Sequence, residues 1–444
     1  MSNEDVARGI VGRLREAGFV AYFAGGCVRD RLLGKEAHDI DIATDARPGD
    51  VMRIFRRTVS VGAHFGVVVV VEEGRTFEVA TFRSDGTYSD GRRPEEVSFT
   101  TPEGDAARRD FTINGLFLDP LTGDVHDFVG GREDLETRIV RAIGEPSQRF
   151  AEDKLRILRG VRFATTLGFE IEEATWKALC AAASEISMVS VERIREELVK
   201  IFMSPGRARG LDLLDASGLL EVLLPEVSAM KGCDQPPEFH PEGDVYIHTR
   251  GMLDLLSGEP SAALAFAVLL HDVGKPRCRT VDATGRIRFN GHEHVGARMA
   301  EEILRRLRFP KAMIHDCCEM VRHHMAFKDA PQMRTSKLRR FMARETFAEE
   351  MELHRVDCLG SHGSLDIHEF LNSKAEEFAS EPLLPPRLVT GADLIALGWT
   401  PGPAFRETLD AVQNLQLEGR LLDRDQALAW IQEHYPAEGH NPLD

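Results

Sequence analysis

The stretch "FAGGCVRDRLLGKEAHDIDIATDA" constrains the fold more than any other part of the chain. Side chains alternate across a β-strand, so within "HDIDIA" Asp39 and Asp41 fall on one face while Ile40 and Ile42 fall on the other. One face suits a core and the other suits charge. A strand at 20–24, the Gly25-Gly26 turn and a short helix over 27–33 precede it, and residues 5–17 read as an amphipathic helix ahead of that unit. The following "VGAHFGVVVVVEEGRTFEVATFR" reads as a hairpin, two β-rich runs joined at Glu73-Gly74-Arg75.

Two aspartates with no lysine or arginine beside them repel each other unless a cation lies between them, and hard oxygen ligands select magnesium or manganese. Glu78, between Phe77 and Val79, points away from the core face and completes the constellation. Three carboxylates holding two divalent ions activate a hydroxyl and stabilise a leaving pyrophosphate in nucleotidyl transfer. The Gly25-Gly26 turn into a helix offers backbone N–H groups to a triphosphate, with Arg29 assisting.

After about residue 131 the texture changes to helical periodicity, as in "AEDKLRILRGVRFATTLGF" and "VSVERIREELVKIFM". The Pro-rich "CDQPPEFHPEGD" then separates this part from a His-rich helical part, and "SEPLLPPR" separates that from a C-terminal segment. The expected organisation is α+β: a head at 1–130 with a mainly antiparallel sheet, an all-α neck at 131–230, a His-rich domain at 240–375 and a tail at 385–444.

With 444 residues, 43% hydrophobic and 29% charged, the chain is long enough for several soluble domains. Its start, "MSNEDVARGIVGRLREAGF", is acidic where a signal peptide is basic, and its longest apolar run, "AALAFAVLL", is far short of a membrane span. The expectation is a cytoplasmic protein without a membrane partner. Seven scattered cysteines with no Cys-x-x-Cys suggest neither a disulfide frame nor a zinc ribbon. The net charge of −17 opposes an extensive phosphate-binding surface, but the pairs Arg92-Arg93, Arg108-Arg109 and Arg305-Arg306 leave room for a local one. Nothing here fixes the oligomeric state.

In this order and spacing, "GGCVRDRLLG…HDIDIATDA", "TFRSDGTYSDGRRPEEV", "RRDFTINGLFLD" and "RFAEDKLRILRGVRFA" resemble the successive motifs of the bacterial (class II) tRNA nucleotidyltransferases, the CCA-adding enzymes, and of the related poly(A) polymerases. The resemblance covers most of the first 225 residues. It implies a nucleotidyltransferase head using Mg2+ at Asp39 and Asp41, with tRNA, CTP and ATP as partners. It also implies that Arg109, Asp110 and Asn114 hold the ribose and triphosphate. The stretch 83–94 resembles the family's flexible loop, thought to help switch specificity from C to A.

On one helix, Asp153 and Arg156 would be three apart and face the same way. An aspartate accepts from an exocyclic amine and an arginine donates to a ring nitrogen or carbonyl, so one pair suits both cytosine and adenine. Uracil and guanine present the reversed pattern and leave buried groups unpaired, at about 1–3 kcal/mol each. The resemblance implies that these positions of an EDxxR motif pair with the incoming base. The same spacing also fits an intrahelical salt bridge worth about 0.2–0.5 kcal/mol. Arg159 and Arg162 continue the basic stripe toward phosphate or solvent.

Beyond residue 240, "LLHDVGKP", "NGHEHVGA", "VRHHM" and "HRVDCLGS" resemble a metal-dependent HD phosphohydrolase domain. His248, His271, Asp272 and Asp357 match its basic ligand set and His292 and His324 its extra positions, with His294 and His323 as neighbours and Lys275 a phosphate contact. Imidazole with carboxylate suits manganese, nickel, iron or zinc. In the tail, Trp399 and Phe405 read as core.

The expected function is template-independent addition of CMP and AMP to the 3′ end of tRNA, releasing pyrophosphate. An A-adding or C-adding specialist and a poly(A) polymerase are the rivals, because Gly115 and Gly160 stand where many CCA-adding relatives have alanine. An HD phosphohydrolase and a non-catalytic RNA-binding protein are the readings from other classes.

Overall fold

A computed structural model describes residues 2–37, 39–60, 65–85, 97–236 and 243–435. Helix α1 (Asn3–Glu16) starts where Ser2 and Asp5 cap each other reciprocally, and it buries Val6, Ala7, Ile10, Val11 and Leu14 along one face. After it come β1 (Ala21–Ala24), α2 (Gly26–Leu32), β2 (Asp41–Thr44), α3 (Pro48–Ile54), β3 (Thr58–Val59), β4 (Val67–Glu72) and β5 (Arg75–Thr81). The head continues with β6 (Arg83–Asp85), β7 (Val97–Phe99), α4 (Pro102–Ala107), β8 (Leu116–Leu118) and β9 (Val125–Asp127), and α5 (Gly131–Glu136) follows it.

The seven-stranded head sheet has the order β3-β4-β5-β2-β1-β8-β9, and only the β2–β5 pair is parallel. The β4–β5 hairpin is tighter than the sequence suggests. Glu72 pairs with Arg75, so only Glu73 and Gly74 turn the chain, both at positive φ (51° and 75°). This is the twist-compatible two-residue turn of antiparallel hairpins.

The strand expected to carry both aspartates begins at Asp41, not ahead of Asp39. Its first pair is Ala24↔Asp41, and β1 ends there, so residues 39 and 40 have no strand to pair with. The alternation survives the loss of pairing: Ile40 is buried while Asp39 and Asp41 open to solvent.

The neck carries α6 (Pro146–Glu152), α7 (Leu155–Leu167), α8 (Glu173–Ala182) and α9 (Val191–Met203), followed by the helices Arg207–Ala216, Leu219–Leu223 and Pro225–Ser228. Helix α7 buries Leu155, Ile157, Leu158, Val161 and Ala164 and stops at Gly168, whose left-handed conformation (φ 69°) ends it. Residues up to Ala229, with Ser257–Ala262 and Ile303–Phe309, form one compact unit, and the remaining residues form a second. Head and neck thus share one unit. The apolar helix Ala262–Leu270, which belongs to the second unit from Ala263 on, buries every side chain from that residue and delivers His271 and Asp272 at its end. In the tail, Trp399 and Phe405 pack against Val389, Leu394, Val412 and Ile431, as the sequence predicts. Among the described residues no helix is long and apolar enough to cross a membrane.

Candidate functional site

Strand β1 runs directly into Gly25, which adopts φ 75°, ψ −128° and donates its N–H to Leu116. A Cβ at this position would lie 2.7 Å from Nη1 of Arg109. Glycine therefore does two things here: it makes the turn and lets a guanidinium lie against the backbone. One turn into α2, the buried Arg29 donates from Nη1 to Oδ1 of Asn114 (2.6 Å) and from Nε to Asp30 (2.8 Å).

The parallel register Ile42↔Val79 sets Glu78 near Asp41. Asp41 reaches solvent through the cavity mouth, yet the surrounding wall desolvates its carboxyl, and Glu78 and Asp39 add like charge. Arg109 opposes them only in part, and Asp41 is pushed up to about 6. A carboxylate so poor in counter-charge fits a hard divalent cation. The three carboxylates are not gathered tightly: among the described residues, the groups of three ligand atoms all within 4.8 Å of one another both lie in the His-rich domain.

Asp41 and Glu78 share a cavity of about 530 Å³ with Gly25, Gly26, Arg29, Arg109, Asp110, Asn114, Asp153, Arg156, Arg159 and Arg162. Asp39 stands outside its lining. The buried Asp105 holds Arg108 (2.6 Å) and Arg109 (2.9 Å) at one end. Burial pushes the Asp105 carboxyl up, but the two guanidiniums outweigh it and hold it below the usual range. Asp110 follows the same rule: burial opposes its charge, and Arg159 with Asn114 wins, keeping it well below an ordinary aspartate. Three arginines surround the Phe163 ring, Arg162 at 3.7 Å, Arg29 at 5.1 Å and Arg159 at 5.3 Å from its centroid.

The pair expected to read the base differs from its predicted form. Asp153 is not on the helix of Arg156; it stands between α6 and α7 in extended conformation (φ −138°, ψ 106°). Its own Oδ1 accepts from the N–H of Leu155 (3.0 Å), a local bond that competes with continuing α6. Instead of bonding to each other, the two side chains have separate holders. Arg193 of α9 grips both oxygens of Asp153, at 2.8 and 3.2 Å. Arg156 donates to Glu152 (2.7 Å) and to the backbone carbonyls of Arg149 (3.2 Å) and Arg108 (2.9 Å). The intrahelical salt bridge is therefore absent, and both residues line the cavity.

Arg159 and Arg162 both line the cavity, each with a carboxylate partner already in place. Arg159 pairs with Asp110 and Arg162 with Glu197 of α9. Sequence reasoning missed Arg193 and Glu197, although their spacing of four in "ERIREEL" places both on one face of α9. Gly115 and Gly160 are packed as glycines: a Cβ would fall 2.5 Å from Cγ2 of Val129 at the first, and 3.2 Å from Leu179 and 3.3 Å from Phe111 at the second. Of the loop at 83–94, residues 86–94 lie outside the described residues, as do Arg92 and Arg93.

In the second unit, His248, His271 and Asp357 form one group of potential ligands and Asp272, His292 and His324 another. Nδ1 of His271, His292 and His324 lies 2.9, 2.7 and 2.6 Å from the carbonyl three residues earlier, of Val268, Phe289 and Val321. A carbonyl only accepts, so each Nδ1 carries the proton and each Nε2 turns a lone pair inward. Nε2 of His292 and Nε2 of His324 then face each other at 3.2 Å, an arrangement that a shared proton or a metal cation between them would satisfy. The buried Nε2 of His271 makes no hydrogen bond, although it lies 3.1 Å from Oδ2 of Asp272. Burial first, and then the neighbouring His292 and His271, push His324 down to about 3, which favours the neutral ligating form. Lys275 is buried against Asp272 and Gln235, both at 2.6 Å. His294 is exposed and His323 turns to Glu319, so neither joins the cluster.

The "Poly A polymerase head domain" model matches residues 21–141, the "Probable RNA and SrmB- binding site of polymerase A" model 168–231 and the "HD domain" model 245–361. A CCA-adding enzyme of Streptococcus gordonii is 47% identical over 215 residues, 48% of this chain and 54% of that protein. Another, of Geobacillus stearothermophilus, is 47% identical over 214 residues, covering 48% and 53%. The aligned region thus spans about half the length of these curated relatives. The solved structure of the Bacillus stearothermophilus CCA-adding enzyme in complex with CTP aligns over 98% of both chains with a TM-score of 0.74 and 30% identity. A head, a neck and an HD domain in this order, matched end to end by that structure, make the chain a member of the CCA-adding enzyme family.

Proposed function

We propose that the protein rebuilds the 3′ CCA end of tRNA in the cytoplasm, adding CMP and AMP from CTP and ATP without a nucleic-acid template and releasing pyrophosphate. One observation carries this: a single cavity joins carboxylates suited to divalent metal with an aspartate and an arginine suited to reading cytosine and adenine. The domains are a head at 1–130, a neck at 131–230, an HD domain at 240–375 and a tail at 385–444.

Asp39 and Asp41 hold Mg2+ in the head, with Glu78 beside them. The bound metal would supply activation of the 3′-hydroxyl and stabilisation of the leaving pyrophosphate. The backbone at Gly25 and Gly26, with Arg29 and Arg109, takes the triphosphate. Asn114 and Asp110 hold the ribose. Asp110 already accepts four hydrogen bonds, so it meets a ribose hydroxyl by giving up one of those from Arg159. Asp153 accepts from the exocyclic amine of either base and Arg156 donates beside it, while Arg159 and Arg162 form the basic wall.

The inward Nε2 lone pairs favour a second site: His248, His271, Asp272, His292, His324 and Asp357 hold a separate divalent metal and give the HD domain phosphoester-hydrolysing capacity.

The test offers tRNA lacking its last three nucleotides, tRNA ending in two cytidines, and unrelated RNA, with CTP and ATP supplied separately and together. Completion of CCA on the first substrate, one adenosine on the second and neglect of the third support the proposal. Addition of A alone, of C alone, or of A runs on any RNA assigns the chain to one of the narrower activities instead.

A further inference from the structure

Asp153 sits at a break between helices, where an aspartate side chain would turn freely about χ2, a broad and roughly two-fold torsion. Base selection needs one oxygen at one place. Three bonds remove that freedom. Oδ1 accepts from the N–H of Leu155 (3.0 Å) and from Nη1 of Arg193 (3.2 Å), and Oδ2 accepts from Nη2 of Arg193 (2.8 Å). An ionised carboxylate has about four acceptor positions, so Oδ1 is full and one position remains, on Oδ2.

Resting on the base-selection reading above, we infer that Arg193 is a positioning residue for nucleotide choice: its two-pronged grip fixes the Asp153 carboxylate so that one acceptor position is left for an incoming amine. Two further observations support it. Arg193 lines the same cavity as Asp153 and Arg156 and is itself largely covered. Four residues on, Glu197 of the same helix holds Arg162, so α9 carries one holder for the base-reading aspartate and one for the basic wall. The fork geometry matters because a guanidinium fixes a carboxylate plane and an ammonium does not. The alternative, an ion pair that only ties α9 to the helix junction, predicts a loss shared by all nucleotides.

The experiment measures kcat/KM for CTP, UTP, ATP and GTP on tRNA substrates of the appropriate length, with the full-length protein and the variants Arg193→Ala, Arg193→Lys, Asp153→Ala and the Arg193→Ala, Asp153→Ala double substitution. Thermal unfolding and tRNA binding report on folding. Arg193→Ala should reduce preference for CTP over UTP and for ATP over GTP by about 5- to 10-fold each, with UTP and GTP values nearly unchanged. Arg193→Lys should recover only part of the preference, and it decides the matter if Arg193→Ala fails to fold. In the Asp153→Ala background, removing Arg193 should change the preference by less than about 2-fold, because the group it positions is gone. Equal losses for all four nucleotides, full rescue by lysine, or additive effects in the double variant overturn the inference. If Asp153→Ala itself keeps wild-type preference, the base-selection reading falls and this inference with it; if Asp153→Ala loses preference while the Arg193 variants keep it, only the role of Arg193 falls.

Discussion

Asp110 lies beneath Arg159: its Oδ2 accepts from Nε at 2.8 Å and from Nη2 at 2.5 Å, while Oδ1 accepts from Nδ2 of Asn114 at 3.0 Å and from the N–H of Phe111 at 2.8 Å. The carboxylate is saturated, and it ties the head to α7 of the neck.

This pair makes acid stability testable. Because the folded protein holds Asp110 well below an unfolded aspartate, its contribution is present above about pH 4 to 5 and is lost as pH falls toward the folded value. Asp110→Asn should flatten the loss of stability below pH 5, measured by denaturant unfolding. Asp110→Ala should cost about 2 kcal/mol at pH 7, below the buried-pair range because Arg159 is one-third exposed.

Asp41→Ala should lower CMP and AMP addition together by about 10²- to 10³-fold or more with the fold intact, since it removes charge stabilisation shared by both reactions. Asp39→Ala should follow it, although Asp39 lies outside the cavity lining. Glu78→Ala should cost less, because two ligands remain. Single-turnover rates with each nucleotide check the order, and near-normal addition of either nucleotide by the Asp39, Asp41 double variant would sink the assignment.

Replacing His271 and Asp272 together by alanine should strip divalent metal from the HD domain, read by metal analysis of the purified protein, and abolish any phosphoesterase activity. Nucleotide addition should stay within about 2-fold, because the proposed head site uses carboxylates alone and the proposed HD site imidazoles with carboxylates, ligand sets of different preference. Parallel loss of addition in a folded, tRNA-binding variant contradicts two independent sites.

Arg156→Ala should lower kcat/KM for CTP and ATP more than for UTP and GTP. It should also destabilise the fold by about 1–3 kcal/mol, because the carbonyls of Arg108 and Arg149 and the carboxylate of Glu152 lose their donor. Unfolding and kinetic measurements on one preparation separate the two effects.

The head was legible where local pattern decides structure. Alternation at 39–42, the Gly25-Gly26 turn and the hairpin each rest on a few adjacent residues, and their geometry follows from chain stereochemistry. What escaped depends on partners far along the chain. A separation of 40 in sequence hides the pairing of Asp153 with Arg193, and a single side-chain bond to Leu155 competes with a helix that periodicity alone would continue. In the HD domain residue types pointed to the histidines and aspartates that the fold gathers, but the anchoring of His271, His292 and His324 through Nδ1 depends on carbonyls that only the folded backbone places.

Four of the cavity's arginines are already matched before any nucleotide arrives: Arg109 with Asp105, Arg159 with Asp110, Arg162 with Glu197, Arg193 with Asp153. A triphosphate entering such a site swaps one anion for another, so few mobile ions are displaced from it. Nucleotide affinity should therefore vary more gently with ionic strength than a wall of so many cations would suggest, leaving the steep ionic-strength response to the polynucleotide.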